Sequence, residues 1–364
     1  MGKSDGGLLH GRRLRPFAVV LISMASIALA SCGGDDKGSS GGGADGGSQR
    51  VRVAVTSGET LGDVPGVSAA VENGDAFDIK GSADDIKRFD SHATAMQVLL
   101  SGRAEVVSGS FVSDLKLMEQ GRDIKVFCGV QNATEENLVG TGKTDSIDDL
   151  QSGDATLAID SPGGAADFFL NFLLYAKDSG FYVDDIDNKT ILEDGDQRLS
   201  AMQNGEADVS ILAFNEIALL EEQVGKENVN VISVLAEDIG DQAIYIAFAA
   251  ESSWLTENKD LAARFCATAI DQMNKISADY GAYKAMIEKY IEPPPPDTDI
   301  RQLWDLNKDF TVWPDTPVIS EEQYQANVDV ALASGLLKEK IPYDQAIDRS
   351  VMDQAKKLLA EKGS

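Results

Sequence analysis

Apolar and polar positions repeat the same helix-to-strand pattern at two places in the chain. Residues 89–111 read FDSHATAMQVLLSGRAEVVSGSF, and residues 199–214 read LSAMQNGEADVSILAF. In both stretches apolar residues recur at helical spacing and lead into the pattern Gly-x-Ala-acid-Val, which begins at Gly102 and again at Gly205. The spacing predicts an amphipathic helix, the glycine predicts its end, and the apolar run that follows predicts a strand. In the first stretch Ser91 or its predecessor is the expected cap.

A second pair of stretches predicts a strand followed by a turn. VRVAVTSG begins at Val51 and ATLAIDSPGG begins at Ala155, and both are apolar runs that lead into a serine. After the second run Ser161 is a favourable N-cap, and Pro162 suits the first helical position. Large apolar residues then recur at helical spacing as far as Gly180, which predicts a helix that ends there.

Strands that alternate with helices in both halves predict an α/β fold. Such βαβ units form mainly parallel sheets with helices on both faces. A chain of 364 residues is long enough to bury two modest cores. Because ligands of open α/β sheets bind beyond the carboxyl ends of the strands, the doubled pattern predicts two lobes that face each other across a cleft.

The N-terminus has the pattern of a targeting segment. Arg12, Arg13 and Arg15 precede an apolar run over 17–30 that is too short to span a bilayer comfortably. The run ends at Leu-Ala-Ser-Cys32, which resembles the lipobox of bacterial lipoproteins and implies cleavage before Cys32 and acylation of its thiol. An ordinary secretory signal with a chance cysteine is the alternative. Residues 33–48 are nearly all Gly, Ser and Asp, which predicts a flexible tether.

The net charge bears on the class of partner, and the cysteine content bears on disulfide formation. The formal net charge is −28, which argues against a nucleic-acid partner because such a partner requires a basic face. Beyond Cys32, only Cys128 and Cys266 remain. Export permits a disulfide between them, but Cys128 lies in a strand-like run and Cys266 on a helical face. That placement favours two separately buried thiols.

The order of these motifs resembles that of the solute-binding proteins of ABC importers. The branch concerned binds aliphatic sulfonates, taurine, nitrate and the pyrimidine precursor of thiamine. The resemblance covers about Val51 to Ala360, and the segments that carry it are VRVAVTSG, ATAMQVLLSGRAEVVSGS, SIDDLQSGDATLAIDSPGGAADFFLNFLL, SGFYVDDI, LSAMQNGEADVSILAFNE and LASGLLKEKIPYDQAIDRSVMDQA. Two departures matter: residues 65–74 lack the tyrosine that members commonly carry, and no proline follows Glu216. The ligand class of the family is therefore not carried over.

The resemblance implies a two-lobed, periplasmic-binding-protein-like fold of type II with a hinge of two crossovers. We expect the first crossover near Gly140–Lys143 and the return near Asp241–Ile246. The predicted units are a signal peptide (1–31), a lipidated tether (32–50), the first part of lobe one (51–142), lobe two (143–242), the return of lobe one (243–292) and C-terminal helices packed on lobe one (293–364).

Candidate ligand contacts lie at strand ends and helix starts. They are Thr56, Ser57, Ser91, His92, Ser108, Ser110 and Gln131 in lobe one, Ser161, Gly163, Gly164 and Asn215 in lobe two, and Gln242 at the hinge. Free N–H groups at a helix start favour an anion, so Gly163 and Gly164 are expected to bind the most polar acceptor of the ligand.

These candidates have plain structural alternatives. Ser161 and Pro162 can be an ordinary helix cap, and His92 a partly exposed first-turn residue. Aromatic walls are expected from Phe89, Phe111 and Phe214, any of which can instead be core. The carboxylates expected near the cleft suit an amine or a zwitterion better than a bare anion, and they are Asp63, Asp90, Asp160, Glu216 and Asp241.

The expected function is capture of a small polar or anionic organic solute by hinge closure, and delivery to a permease and its ATPase. The protein is expected to be a monomer outside the cytoplasm, held at the membrane by its N-terminal lipid, without cofactor or metal. A sensor that signals to a membrane receptor is the alternative. An enzyme similar to thiamine-pyrimidine synthase is a remote alternative, because a single mature-chain histidine and two scattered cysteines cannot build its iron site.

Overall fold

A computed structural model describes residues 50–56, 64–89, 91–132 and 135–362. The predicted signal peptide, the tether with Cys32, and the candidate Ser57 lie outside these residues, as do Asp63 and Asp90. In the described part of the chain, none of the helices combines the length and the apolar character that crossing a membrane requires.

Ten strands form two sheets of five. The strands of the first sheet are β1 (Val53–Val55), β2 (Ile86–Arg88), β3 (Val106–Ser110), β4 (Ile124–Gln131) and β10 (Ile246–Glu251). Those of the second are β5 (Glu136–Thr141), β6 (Leu157–Ile159), β7 (Lys189–Ile191), β8 (Val209–Ala213) and β9 (Val229–Val234).

Helices cover both sheets. Those of lobe one are α1 (Val64–Glu72), α2 (His92–Leu100), α3 (Phe111–Glu119), α9 (Ser252–Glu257), α10 (Lys259–Ala278) and α11 (Tyr280–Tyr290). Those of lobe two are α4 (Asp148–Ser152), α5 (Ala165–Ala176), α6 (Gly195–Gln203), α7 (Phe214–Val224) and α8 (Leu235–Ile239). The C-terminal helices are α12 (Asp297–Phe310), α13 (Glu321–Ala333), α14 (Tyr343–Ala346) and α15 (Arg349–Lys362).

The two sheets share one topology, as the repeated sequence pattern predicts. Their strand orders are β2-β1-β3-β10-β4 and β7-β6-β8-β5-β9. In each sheet the first three strands pair in parallel, and the fourth is antiparallel to both of its neighbours. Four strands in each sheet therefore run the same way, which confirms the expected two-lobed α/β fold with mainly parallel sheets. In each sheet the antiparallel strand is the first that the chain forms after it crosses over from the other lobe. This strand is β10 in the first sheet and β5 in the second.

The repeated glycines end their helices as expected. Gly102 has φ +69° and Gly205 has φ +70°, a left-handed conformation that glycine adopts without strain. Their N–H groups donate to Leu99 O (2.8 Å) and Met202 O (3.1 Å), so both turns use the same helix-ending hydrogen bond. Local sequence alone dictates this repeat.

The first crossover lies earlier than the sequence predicts. Strand β5 already pairs with β8 and β9 of the second sheet, so the expected crossover near Gly140–Lys143 is wrong. The chain leaves the first sheet after Gln131 and enters the second at Glu136. Both flanking runs are apolar, and a hydrophobic pattern does not say which sheet a strand joins. On the return, the chain passes from Gln242 in lobe two to Ile246 in lobe one.

A disulfide joins Cys128 of β4 to Cys266 of α10. The expectation of two separate thiols is therefore wrong. Helix α10 packs directly on β4, and Phe248 of β10 lies between Phe127 and Phe265 in the same core. The apolar strand and the apolar helical face, which the sequence shows 138 residues apart, are the two sides of one interface.

The C-terminal helices contact both lobes. Helix α15 packs on α10 of lobe one, whereas α13 packs on α5 of lobe two. The expectation that residues 293–364 pack on lobe one alone is wrong for α13. Its apolar face, which includes Val328 and Ala331, belongs to a core cluster that also holds residues of α5.

Candidate functional site

A cleft of about 890 Å³ lies between the two lobes. Thr56 follows β1 and Ser110 ends β3 on one side, while Asp160 and Ser161 follow β6 on the other. The cleft is therefore lined by the carboxyl ends of parallel strands from both sheets, where ligands of α/β folds bind.

Seven of the candidate contacts line this cleft. They are Thr56, Ser91, His92, Ser110, Ser161, Gly163 and Gly164. Four others do not. Ser108 and Gln131 are buried within β3 and at the end of β4, and Asn215 and Gln242 are exposed elsewhere. Contact of the seven with a ligand stays a prediction.

His92 is part of a buried imidazole–carboxylate pair on lobe one. Its Nε2 lies 3.0 Å from Oδ1 of Asp114, which is completely buried in α3. Burial raises the pKa of Asp114, and His92 opposes that shift. A Cβ at Gly109 would lie 2.7 Å from Nδ1 of His92 and 2.4 Å from Oγ1 of Thr56, so glycine leaves room for these two polar groups to converge at the cleft.

The start of α5 is capped by the protein's own carboxylates. Asp160 accepts hydrogen bonds from the N–H groups of Ala166 (3.0 Å) and Asp167 (2.8 Å). Asp167 in turn accepts from Gly163 N (2.8 Å), and the N–H of Gly164 donates to Ser161 O (2.8 Å). In this conformation the N–H groups of Gly163 and Gly164 are both bonded within the protein, and their expected contact with an anionic ligand stays a prediction.

Ser161 does not cap α5 either. The helix begins at Ala165 with Gly164 as its N-cap, and Pro162 lies in the preceding turn and not in the first helical position. The hydroxyl of Ser161 instead donates to Oε2 of Glu193 (3.2 Å). Burial raises the pKa of Asp160, and it raises that of Asp167 to about 7.

Hydrogen bonds between described residues cross the cleft directly. From α3 of lobe one, Ser113 Oγ donates to Gly163 O (3.0 Å) and Lys116 Nζ donates to Pro162 O (2.6 Å). Gly163 has φ +85°, and a Cβ there would lie 2.4 Å from Nζ of Lys116. Glycine at this position therefore serves both the turn and the close approach of the lobes.

The cleft carries both signs of charge, mostly on residues that the sequence did not single out. The basic side chains are Arg88, Lys116 and Arg198, and the acidic ones are Glu136, Asp160, Glu193 and Asp194. Of these, only Asp160 was expected from sequence. Arg198 is 7% exposed, and its Nη1 donates to the carbonyls of Leu192 and Glu193 (both 3.2 Å). Local signals existed for Arg88, which ends β2 at the same sheet edge, and for Glu193 and Asp194, which follow β7 and lead into α6 with Asp194 as its N-cap.

Apolar walls complete the site. Phe89, Leu117, Pro162 and Tyr245 line it. Of the aromatic residues expected there, Phe89 lines the cleft, whereas Phe111 is core and Phe214 lies outside the lining. Among the described residues, no group of three His, Cys, Asp or Glu side chains is arranged to hold a metal ion.

Comparison with known proteins gives structural but no sequence matches. No protein-family model matches the chain, and no curated protein does. Solved structures match over most of their length. A ligand-binding component of an ABC-type import system from Staphylococcus aureus, with zinc bound, is 14% identical with a TM-score of 0.65, covering 84% of this chain and 99% of that one.

Two further structures have named ligands. The aliphatic sulphonate binding protein SsuA from Escherichia coli is 18% identical with a TM-score of 0.56, covering 82% of this chain and 91% of that one. The nitrate-binding protein NrtA from Synechocystis is 11% identical with a TM-score of 0.61, covering 86% of this chain and 90% of that one. The chain thus has the fold of periplasmic solute-binding proteins.

Proposed function

We propose that this protein is an extracytoplasmic solute-binding lipoprotein of an ABC importer. The observation that carries the proposal is the interlobe cleft, which is lined from both sheets and closed in part by direct hydrogen bonds between the lobes. A solute that contacts both walls stabilises the closed form relative to the open one. The closed pair of lobes then forms the surface that a permease recognises.

The charges of the cleft favour a zwitterion over a bare anion. Glu136, Glu193 and Asp194 stand on the lobe-two wall beside Asp160, together with Arg198, whose guanidinium donates to backbone carbonyls. Arg88 and Lys116 stand on the lobe-one wall. A solute with an ammonium group and an anionic group matches this division. The N–H groups at the start of α5, which would otherwise attract an anion, already donate to Asp160 and Asp167. Among the ligands of similar folds, an aminosulfonate such as taurine fits best.

Thermal-shift measurements test the ligand. Taurine and ethanesulfonate differ only in the ammonium group, and they are screened together with nitrate, small carboxylates and pyrimidines. A ligand at a hundred times its dissociation constant stabilises a protein by about 2.7 kcal/mol, which such an assay detects. We expect taurine to raise the melting temperature more than ethanesulfonate does.

Variants then locate the contact. Asp194→Asn should weaken taurine binding by about tenfold, or roughly 1.4 kcal/mol, whereas Asn215→Ala, outside the cleft, should leave it unchanged. If ethanesulfonate raises the melting temperature as much as taurine does, the ammonium group contributes nothing to binding, and the proposal of a zwitterionic ligand is refuted. If nothing in the screen stabilises the protein, and mass spectrometry finds no co-purified solute, the solute-binding function itself is wrong.

The disulfide and the N-terminal pattern support the proposed location outside the cytoplasm, at the membrane. A disulfide between Cys128 and Cys266 suits an oxidising compartment outside the cytoplasm. We propose that the acylated Cys32 then holds the protein at the membrane. Cys32→Ser should move the protein from the membrane fraction to the soluble fraction, and continued acylation and membrane binding of this variant would contradict the anchor.

A further inference from the structure

Described residues of both segments that connect the lobes bond to one helix, α13. Nε2 of Gln323 donates to Oδ1 of Asn132 (3.2 Å) and to the carbonyl oxygen of Asp241 (2.7 Å). Asn132 directly follows β4 and belongs to the first crossover, and Asp241 belongs to the return crossover. One side-chain amide therefore ties the two crossovers together.

A second amide, one helical turn further along, holds the return crossover. Asn327 is completely buried, and its Oδ1 accepts from Ile244 N (3.0 Å). Its Nδ2 donates to the carbonyls of Gln242 and Gln323 (both 2.7 Å). A side-chain amide carries both a hydrogen-bond donor and an acceptor. Asn327 therefore forms the same kinds of hydrogen bond with this segment as a neighbouring stretch of backbone would. A carboxylate of the same shape cannot donate when ionised.

Helix α13 is itself attached to both lobes. The ring of Tyr324 packs edge-on against Phe111 of α3 in lobe one, with ring centroids 6.1 Å apart. On the other side α13 packs on α5, whose Phe169 packs edge-on against Tyr245 of the return crossover at 4.9 Å. The helix thus lies where the lobes meet and not on one of them.

We propose that Gln323 and Asn327 are positioning residues of the hinge. They fix both crossovers on α13, so that the lobes move relative to each other along one path about this helix. Neither residue lines the cleft. The inference rests on the lobe closure proposed above, but it concerns the ligand-free protein, so its test does not depend on knowing the solute.

Distance measurements by pulsed electron paramagnetic resonance test the proposal. Spin labels are placed at Arg122→Cys in lobe one and Asp196→Cys in lobe two, both at exposed positions. The labels are introduced into the full chain with Cys32→Ser, in which Cys128 and Cys266 stay in their disulfide. We expect a narrow distance distribution in this parent and a clearly broadened one in Asn327→Asp, which keeps the size and the acceptor but loses the donor.

Two alanine variants of the same helix complete the experiment. Gln323→Ala should broaden the distribution, whereas Gln325→Ala should not, because Nε2 of Gln325 donates to Asp329 of α13 (2.5 Å) and not to a crossover. Circular dichroism checks that each variant is folded. If Asn327→Asp does not fold, the distance distribution of Gln323→Ala tests the proposal. Parental distributions in the folded variants would overturn the proposal. Equal broadening in Gln325→Ala would also overturn it, because any loosening of α13 would then have the same effect.

Discussion

The ammonium group of Lys116 in lobe one donates a 2.6 Å hydrogen bond to the carbonyl oxygen of Pro162 in lobe two. The bond crosses the cleft between protein groups alone, so part of the closing free energy comes from the lobes themselves. A ligand adds its own contacts to this contribution.

Removal of the Lys116 ammonium group should favour the open form. The bond is partly exposed, so we expect Lys116→Met to shift the ligand-free equilibrium toward the open form by about 1 kcal/mol, or roughly fivefold. Small-angle scattering should show a larger radius of gyration for this variant. Lys356→Met, at an exposed position of α15, is the control for the lost charge and should match the parent. Identical scattering from both variants would contradict a role of Lys116 in closure.

Alanine variants of Gly163 and Gly205 distinguish the effect of backbone strain from the effect of the contact between the lobes. Both have positive φ, but a Cβ at Gly163 would collide with Lys116, whereas a Cβ at Gly205 has nothing within 4 Å. Alanine at either position should cost about 1–2 kcal/mol of stability, because the left-handed conformation disfavours a side chain. Only Gly163→Ala should also displace the Lys116 side chain from the carbonyl oxygen of Pro162, and so favour the open form in scattering. An opening of similar size in Gly205→Ala would show that strain in lobe two, and not the collision, causes it.

The disulfide should contribute strongly to stability because it closes a long segment. Cys128 and Cys266 are 138 residues apart, and loss of such a bond typically costs about 2–5 kcal/mol. We expect a reductant to lower the melting temperature of the wild-type protein. The double variant Cys128→Ala/Cys266→Ala should melt at a low temperature with or without reductant. A wild-type melting temperature that does not respond to complete reduction, verified by thiol titration, would contradict this contribution.

Local sequence signals predicted the architecture because they depend on neighbouring residues only. Gly102 and Gly205 end helices through bonds to residues one turn earlier, and the apolar periods define the strands that follow. The alternation of strands and helices then allows few topologies, since parallel connections cross over with one hand. Two lobes and a cleft at the strand ends follow from these constraints.

The details of the site depend on contacts that leave no local trace. Lys116 reaches Pro162 from 46 residues away, and no pattern around either residue indicates the pair. At the start of α5 the residue types were visible, but which carboxylate meets which N–H depends on the turn that Gly163 makes. Asp160 therefore accepts from the N–H groups of the first turn, with Gly164 at the N-cap position, although Ser161 has the better N-cap signature by position.

The last prediction concerns Asp167, whose pKa burial raises from 3.8 to about 7. Between these values the unfolded chain has lost the carboxyl proton while the folded chain still holds it. Stability from this group is therefore fully present below about pH 4 and falls as the pH rises to about 7, by up to about 1.4 kcal/mol per unit. Asp167→Asn removes the titration and keeps an oxygen that can accept from Gly163 N.

We accordingly expect Asp167→Asn to match the wild-type stability near pH 4 and to exceed it near pH 8 by up to about 4 kcal/mol. Urea unfolding at both pH values measures the difference, in which the titrations of all other carboxyl groups cancel. Asp309→Asn, an exposed carboxyl on α12, controls for the change in net charge and should give no such divergence. An Asp167→Asn curve that runs parallel to the wild-type curve from pH 4 to 8 would mean that the buried carboxyl ionises as it does in the unfolded chain. The hydrogen bond from Gly163 would then balance the desolvation of Asp167, and the carboxyl group would be ionised over most of this pH range.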